Sequence, residues 1–140
     1  MIDALLAEFV PRIEQARDFA LEHRVLLVRT HDGFPVDIAL GAMQFEEAAI
    51  ERSSNVELVP GAVIRTCSAS DLVVHKAFAA RPQDWVDIAG VIVKQRGQLD
   101  WSQIWSDLQV LAELKGEPTI LAELERVAKS TEDIIGGFPR

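Results

Sequence analysis

The sequence predicts an α+β fold: a small, mostly antiparallel sheet followed by a helical C-terminal half. Three observations predict it. Short β-rich runs punctuated by Asp32-Gly33 and Pro60-Gly61 crowd the stretch from Val25 to Thr66. Beyond Ser68, apolar residues recur at three and four over long segments. The breaks in that second half, Arg81-Pro82, Gly97 and Glu117-Pro118, are helix punctuation rather than hairpin turns.

Element by element, Ile2 to Phe9 and Pro11 to His23 read as helix. Leu5, Leu6, Phe9, Ile13, Ala16, Phe19 and Ala20 fall at helical spacing, with Pro11 in a first turn or at a kink. Val25 to Thr30 and Pro35 to Leu40 read as the arms of a hairpin about Asp32-Gly33. On the second arm Val36, Ile38 and Leu40 alternate with Asp37 and Ala39, which sets Asp37 on the face away from the apolar residues. Gln44 to Arg52 reads as a short helix, and Val56–Val59 and Ala62–Thr66 as short strands. Ser68-Ala69-Ser70-Asp71 has capping-box spacing and opens a helix through Lys76. Helices from about Pro82 to Gln95, from Asp100 to about Leu114, and from Glu117-Pro118 onward complete the chain.

Length sets the expectation of one domain over residues 1–135, with 136–140 as a tail. With 22 acidic residues against 14 basic ones, the formal charge is -8. That excludes a nonspecific nucleic-acid coat, which needs a basic surface, but leaves room for a small basic pocket. A single cysteine, Cys67, makes no internal disulfide and fits a reducing, cytoplasmic setting. No apolar run has membrane-spanning length.

Asp37, Lys76, Arg81, Asp84 and Asp87 are the residues that could carry chemistry. Asp37 is an acid in mid-strand, against β-propensity. It reads either as a solvent-facing side chain or as one of the carboxylates that hold divalent cations in two-metal phosphoryl chemistry. Lys76 is the only lysine or arginine between Arg65 and Arg81, in an otherwise apolar helix. It reads either as a solvated surface lysine or as a point charge for phosphate. Asp84 and Asp87 share a helix face early in the helix begun by Pro82, where the dipole favours acids. Arg81 is placed to pair with one of them. No zinc-ligand spacing, Gly-rich phosphate loop or Gly-x-Ser-x-Gly elbow is present.

Four segments together resemble a bacterial branch of the polymerase-beta-like nucleotidyltransferase superfamily. They are Arg24 to Thr30, Val36-Asp37-Ile38-Ala39-Leu40-Gly41-Ala42, Phe45-Glu46-Glu47, and Thr66 to Leu72 continuing through Lys76, Arg81, Asp84, Trp85 and Asp87. The branch holds minimal nucleotidyltransferases and relatives of abortive-infection toxins, which connects the chain to toxin–antitoxin systems. The resemblance covers about residues 2 to 127 and implies a partial nucleotidyltransferase fold. It implies transfer of a nucleoside monophosphate from a nucleoside triphosphate to a hydroxyl acceptor, an RNA or protein among the candidates, with Mg2+. In that reading Lys76 and Arg81 are nucleotide-binding, Asp37 is a metal ligand, and Asp37 and Asp84 are catalytic. Members of the branch open with a Gly-Ser turn and an Asp-x-Asp strand. Here the first glycine is Gly33, and neither Asp-x-Asp nor Glu-x-Asp occurs. The expectation is a domain truncated at its N-terminus relative to the family and inactive alone. A noncatalytic binding, oligomerisation or antitoxin-like regulatory module is the alternative, with a homodimer covering an exposed sheet edge.

Overall fold

A computed structural model describes residues 1–41 and 43–136. It is α+β, with helices dominating the C-terminal half and two small antiparallel sheets before them. The chain divides into two compact units, Met1–Glu47 and the residues from Ala48 onward. The expected tail lies, from residue 137 on, outside the described residues.

The first unit holds α1 (Ile2–Glu8), β1 (Val10–Pro11), α2 (Ala16–His23), β2 (Val25–Arg29), β3 (Pro35–Ala39) and the start of α3 (Gln44–Glu51). The hairpin forms as the alternation requires: Leu26 pairs with Ile38, Leu27 with Asp37 and Val28 with Val36. Gly33, at φ 90°, supplies the left-handed step of the turn. The Thr30 hydroxyl there accepts from the Phe34 N–H at 3.1 Å. Leu26 and Val28 turn inward with Ala16, Ala20 and Leu40, and Leu5, Phe9, Ile13, Val36 and Ile38 pack around them.

One expectation fails here. Pro11 is not in a helical turn. It lies in β1, opposite Val28 on the edge of the sheet, and Ile13 belongs to the connection into α2. An edge strand accepts proline because the missing N–H removes no necessary ladder bond. The three- and four-residue apolar spacing is met by two helices and the connections on either side of β1, where Phe9 and Ile13 reach the same core, rather than by continuous helix.

The second unit holds β4 (Ser54–Val59), β5 (Ala62–Thr66), α4 (Ala69–Ala79), α5 (Pro82–Gln95), α6 (Trp101–Lys115) and α7 (Thr119–Gly136). β4 and β5 form a separate two-stranded hairpin rather than extending the first sheet. α4 packs against α5, α6 and α7, and Val73, Val74, Ala77, Ile88, Ile104, Leu108, Leu111 and Leu124 fill this core. Ser68 caps α4 as its spacing predicts, accepting from the Asp71 N–H at 3.0 Å. Asp100 does the same for α6, accepting from the Gln103 N–H at 2.9 Å. The break between α4 and α5 is a tight corner. Ala80 takes the left-handed conformation at φ 56° and its N–H reaches the Lys76 carbonyl. Arg81 is extended, as a residue before proline must be, and Pro82 starts α5.

Candidate functional site

The α4–α5 corner gathers four of the five candidate residues, Lys76, Arg81, Asp84 and Asp87. Lys76 sits in the last turn of α4, so its ammonium emerges where the chain turns. Asp84 and Asp87 return from the first two turns of α5. The Lys76 Nζ donates to Asp87 Oδ2 at 2.7 Å and to Asp84 Oδ1 at 3.3 Å. From the other side the Arg81 Nε donates to Asp84 Oδ2 at 2.7 Å and Nη2 to Oδ1 at 3.2 Å. The Arg81 backbone N–H also donates to Asp84 Oδ2, at 3.2 Å, which makes this carboxylate the cap of α5. Gln83 steadies the outer acid, donating to Asp87 Oδ1 at 2.9 Å.

Burial and charge follow from this geometry. The Asp84 side chain is 2% exposed, whereas Arg81 is 74% exposed. The Arg81 guanidinium foremost, with Lys76 assisting, outweighs the cost of burial and holds the Asp84 carboxyl down at about 2. Asp87 is lowered chiefly by Lys76, and Lys76 is raised chiefly by Asp87. At neutral pH the corner therefore holds two cations and two anions, and its net charge is zero.

Asp37 lies in the other unit and has a different neighbour. It is exposed on the outer face of β3, as the alternation requires, and is ion-paired with Arg12, just after β1. The Mg2+ expectation rests on this carboxylate. Among the described residues no three His, Cys, Asp or Glu side chains gather in an arrangement that could hold a metal ion. The donor set present, one carboxylate already paired with a guanidinium, does not fit a two-metal centre.

A second polar cluster was not singled out from the sequence. Asp71 is fully buried. Its Oδ1 accepts from Arg52 at 2.6 Å and from Gln103 of α6 at 2.8 Å, and its Oδ2 accepts from the Ser68 hydroxyl at 2.6 Å. Burial alone would raise the Asp71 carboxyl, but the Arg52, Ser68 and Gln103 hydrogen bonds together lower it. Asp107 shares Arg52 at 3.2 Å. The Ser68-x-x-Asp71 spacing signalled half of this network. Arg52 and Gln103 stand 19 and 32 residues away, beyond the reach of local pattern. Every buried side-chain nitrogen and oxygen among the described residues finds a partner. The cluster ties the segment after α3 to α4 and α6. Cys67 beside it is half-buried, and burial first, then the Asp71 charge, pushes its thiol up, away from the reactive thiolate.

No protein-family model matches this chain, and no curated protein matches it either. Among the described residues no helix is long and apolar enough to cross a membrane.

Proposed function

We propose that this chain is a nucleotidyltransferase-like protein whose 140 residues, by themselves, hold magnesium-nucleotide weakly and carry out no transfer. Ancestry rests on the residue pattern from Arg24 to Asp87. The inactivity rests on one observation: Lys76 and Arg81 are already satisfied by Asp84 and Asp87. A phosphate site needs uncompensated positive charge or free N–H donors. Here a triphosphate would have to displace two carboxylates of its own sign, one of them buried and charged at neutral pH. That repulsion opposes binding before any chemistry begins.

In the reaction that the resemblance implies, a nucleoside monophosphate passes from a nucleoside triphosphate to a hydroxyl on an RNA, a protein or a small molecule. Lys76 and Arg81 would neutralise phosphate charge, and Asp37 would be a metal ligand. With Asp37 paired to Arg12, no step through Mg2+ is assigned to these residues. The test is calorimetric titration with magnesium and each nucleoside triphosphate, followed by a labelled-transfer assay. Dissociation constants weaker than ~100 µM, and no labelled product, are expected. Micromolar binding, with transfer abolished in both Asp37→Ala and Lys76→Ala, would overturn the proposal.

A second reading, a noncatalytic docking or antitoxin-like regulatory module, is favoured by a separate observation. The β4–β5 hairpin carries Val56, Leu58, Val59, Val63 and Ile64, all exposed.

A further inference from the structure

We infer that the β4–β5 hairpin is a self-association surface, and that its occupant is the same hairpin of a second copy of this chain. This deepens the docking reading and is independent of the nucleotide reading, so either can fail without the other.

Val56 stands opposite Ile64 and Glu57 opposite Val63, so the first pair lies on one face and the second on the other. The register then shifts: Val59, not Leu58, stands opposite Ala62. Leu58 is the extra residue of a bulge. Ala62 shares a face with Ile64, two residues on, so the bulge returns Val59 to the side of Val56 and Ile64. Without it the strand would present Leu58 there and turn Val59 to the side of Glu57. One face of the hairpin thus carries Val56, Val59, Ala62 and Ile64, with Leu58 at its rim and no charged side chain. The other carries Asn55, Glu57, Val63 and Arg65.

The apolar face is in water. Val56 is 41% exposed, Val59 60%, Ile64 43% and Leu58 61%. A two-stranded hairpin is marginal unless one face is covered. The exposed apolar area is about 400 Å², at the scale of the largest patches that monomers keep. A second copy laid on it doubles this to about 800 Å². The flanking Ser54 and Thr66 bring the total to about 1,000 Å², the size of a weak, transient association.

Charge selects the occupant. The chain carries -8, so most surfaces of two copies repel each other. This face lacks charge, and a twofold contact sets the same neutral row against itself. Glu57 and Arg65 point the other way and are engaged internally. The Glu57 Oε1 accepts from the Gly61 N–H at 2.8 Å, and the Arg65 Nη2 donates to the Ile50 carbonyl at 3.1 Å. Dimerisation therefore desolvates no charged group. A basic or nucleic-acid partner would find nothing on this face to pair with.

The experiment is sedimentation velocity of the full chain from ~1 to ~200 µM, where a weak interface of this size should show as a reversible dimer that grows with concentration. Val59→Glu and Ile64→Lys should each weaken the dimer at least ~10-fold, equivalent to ~1.4 kcal/mol. Val86→Glu, at an equally exposed apolar position on α5, should leave it unchanged. Circular dichroism checks that each variant is folded. Independently of any variant, amide exchange across residues 54–66 of the wild type should slow as concentration rises. A chain monomeric throughout leaves the face to another partner and overturns the proposal. So does a dimer indifferent to both hairpin substitutions, or one lost equally in Val86→Glu.

Discussion

Replacing Asp84 by asparagine tests whether the α4–α5 corner is a structural joint. The substitution keeps the size and one acceptor oxygen for the Arg81 N–H but removes the charge that Lys76 and Arg81 share. The Asp84 carboxyl stands at about 2 against an ordinary 3.8, and the side chain is nearly inaccessible to water. A shift of that size corresponds to about 2.5 kcal/mol between charged and neutral forms. Arg81 is exposed and rehydrates when released, which lowers the expected cost to about 2 kcal/mol. Asp84→Ala should cost roughly 1 kcal/mol more, because the cap is lost as well. The assay is urea unfolding at pH 7 followed by tryptophan fluorescence. Trp85 lies in α5 and Trp101 and Trp105 in α6, so the signal reports on the unit that contains the corner. Asp87→Asn, at the solvent side of the same lysine, should have a clearly smaller effect. A loss below about 0.5 kcal/mol for Asp84→Asn would refute the reasoning, as surface substitutions away from such networks give no more.

Two further outcomes follow from the same physics. The folded-state carboxyls of Asp84 and Asp71 are both depressed, so their contribution is fully present above the unfolded value near 3.8. It is lost as pH falls through the folded values. Urea midpoints should therefore be flat from pH 7 to about pH 5 and fall steeply between about pH 4 and 2, and the gap between wild type and Asp84→Asn should close there. A gap as wide at pH 2 as at pH 7 would contradict this. Separately, Ala80 ends α4 in the left-handed region that glycine adopts without penalty. Ala80→Gly should raise the midpoint by the equivalent of roughly 0.5–1 kcal/mol, and a drop would show that the corner is not strained at that residue.

Where local chemistry dictates structure, the sequence was legible. Asp32-Gly33 with the alternation through Val36 and Ile38 predicted the β2–β3 hairpin and the outward side of Asp37. Arg81-Pro82 predicted the corner, because proline constrains both itself and the residue before it. β1 was not legible: Val10-Pro11 has too few residues to carry a period, and its pairing with β2 is a tertiary choice. Nor was the buried Asp71 network, whose partners come from distant segments. The bulge at Leu58 was hidden for a related reason. Leu58-Val59 are both apolar, so a one-residue shift leaves no mark on the hydrophobic pattern. For the site, residue types and spacing brought Lys76, Arg81 and Asp84 together. The pairing of Arg81 with one of the acids was legible from their spacing; what spacing could not reveal is that Lys76, from the preceding helix, is held by both acids.

That hold is the central claim, and the Lys76 ammonium reports on it directly. Nitrogen-detected NMR of the lysine side chains, assigned with Lys76→Arg, reads whether the Lys76 amine is held by the acids or free. The account predicts a protected Lys76 signal, lost in Asp87→Asn, that does not move when magnesium-ATP is added to about 10 µM, where a site with a micromolar constant is largely filled. A Lys76 signal that shifts saturably at micromolar nucleotide would contradict it, and would make the corner a phosphate site rather than a joint.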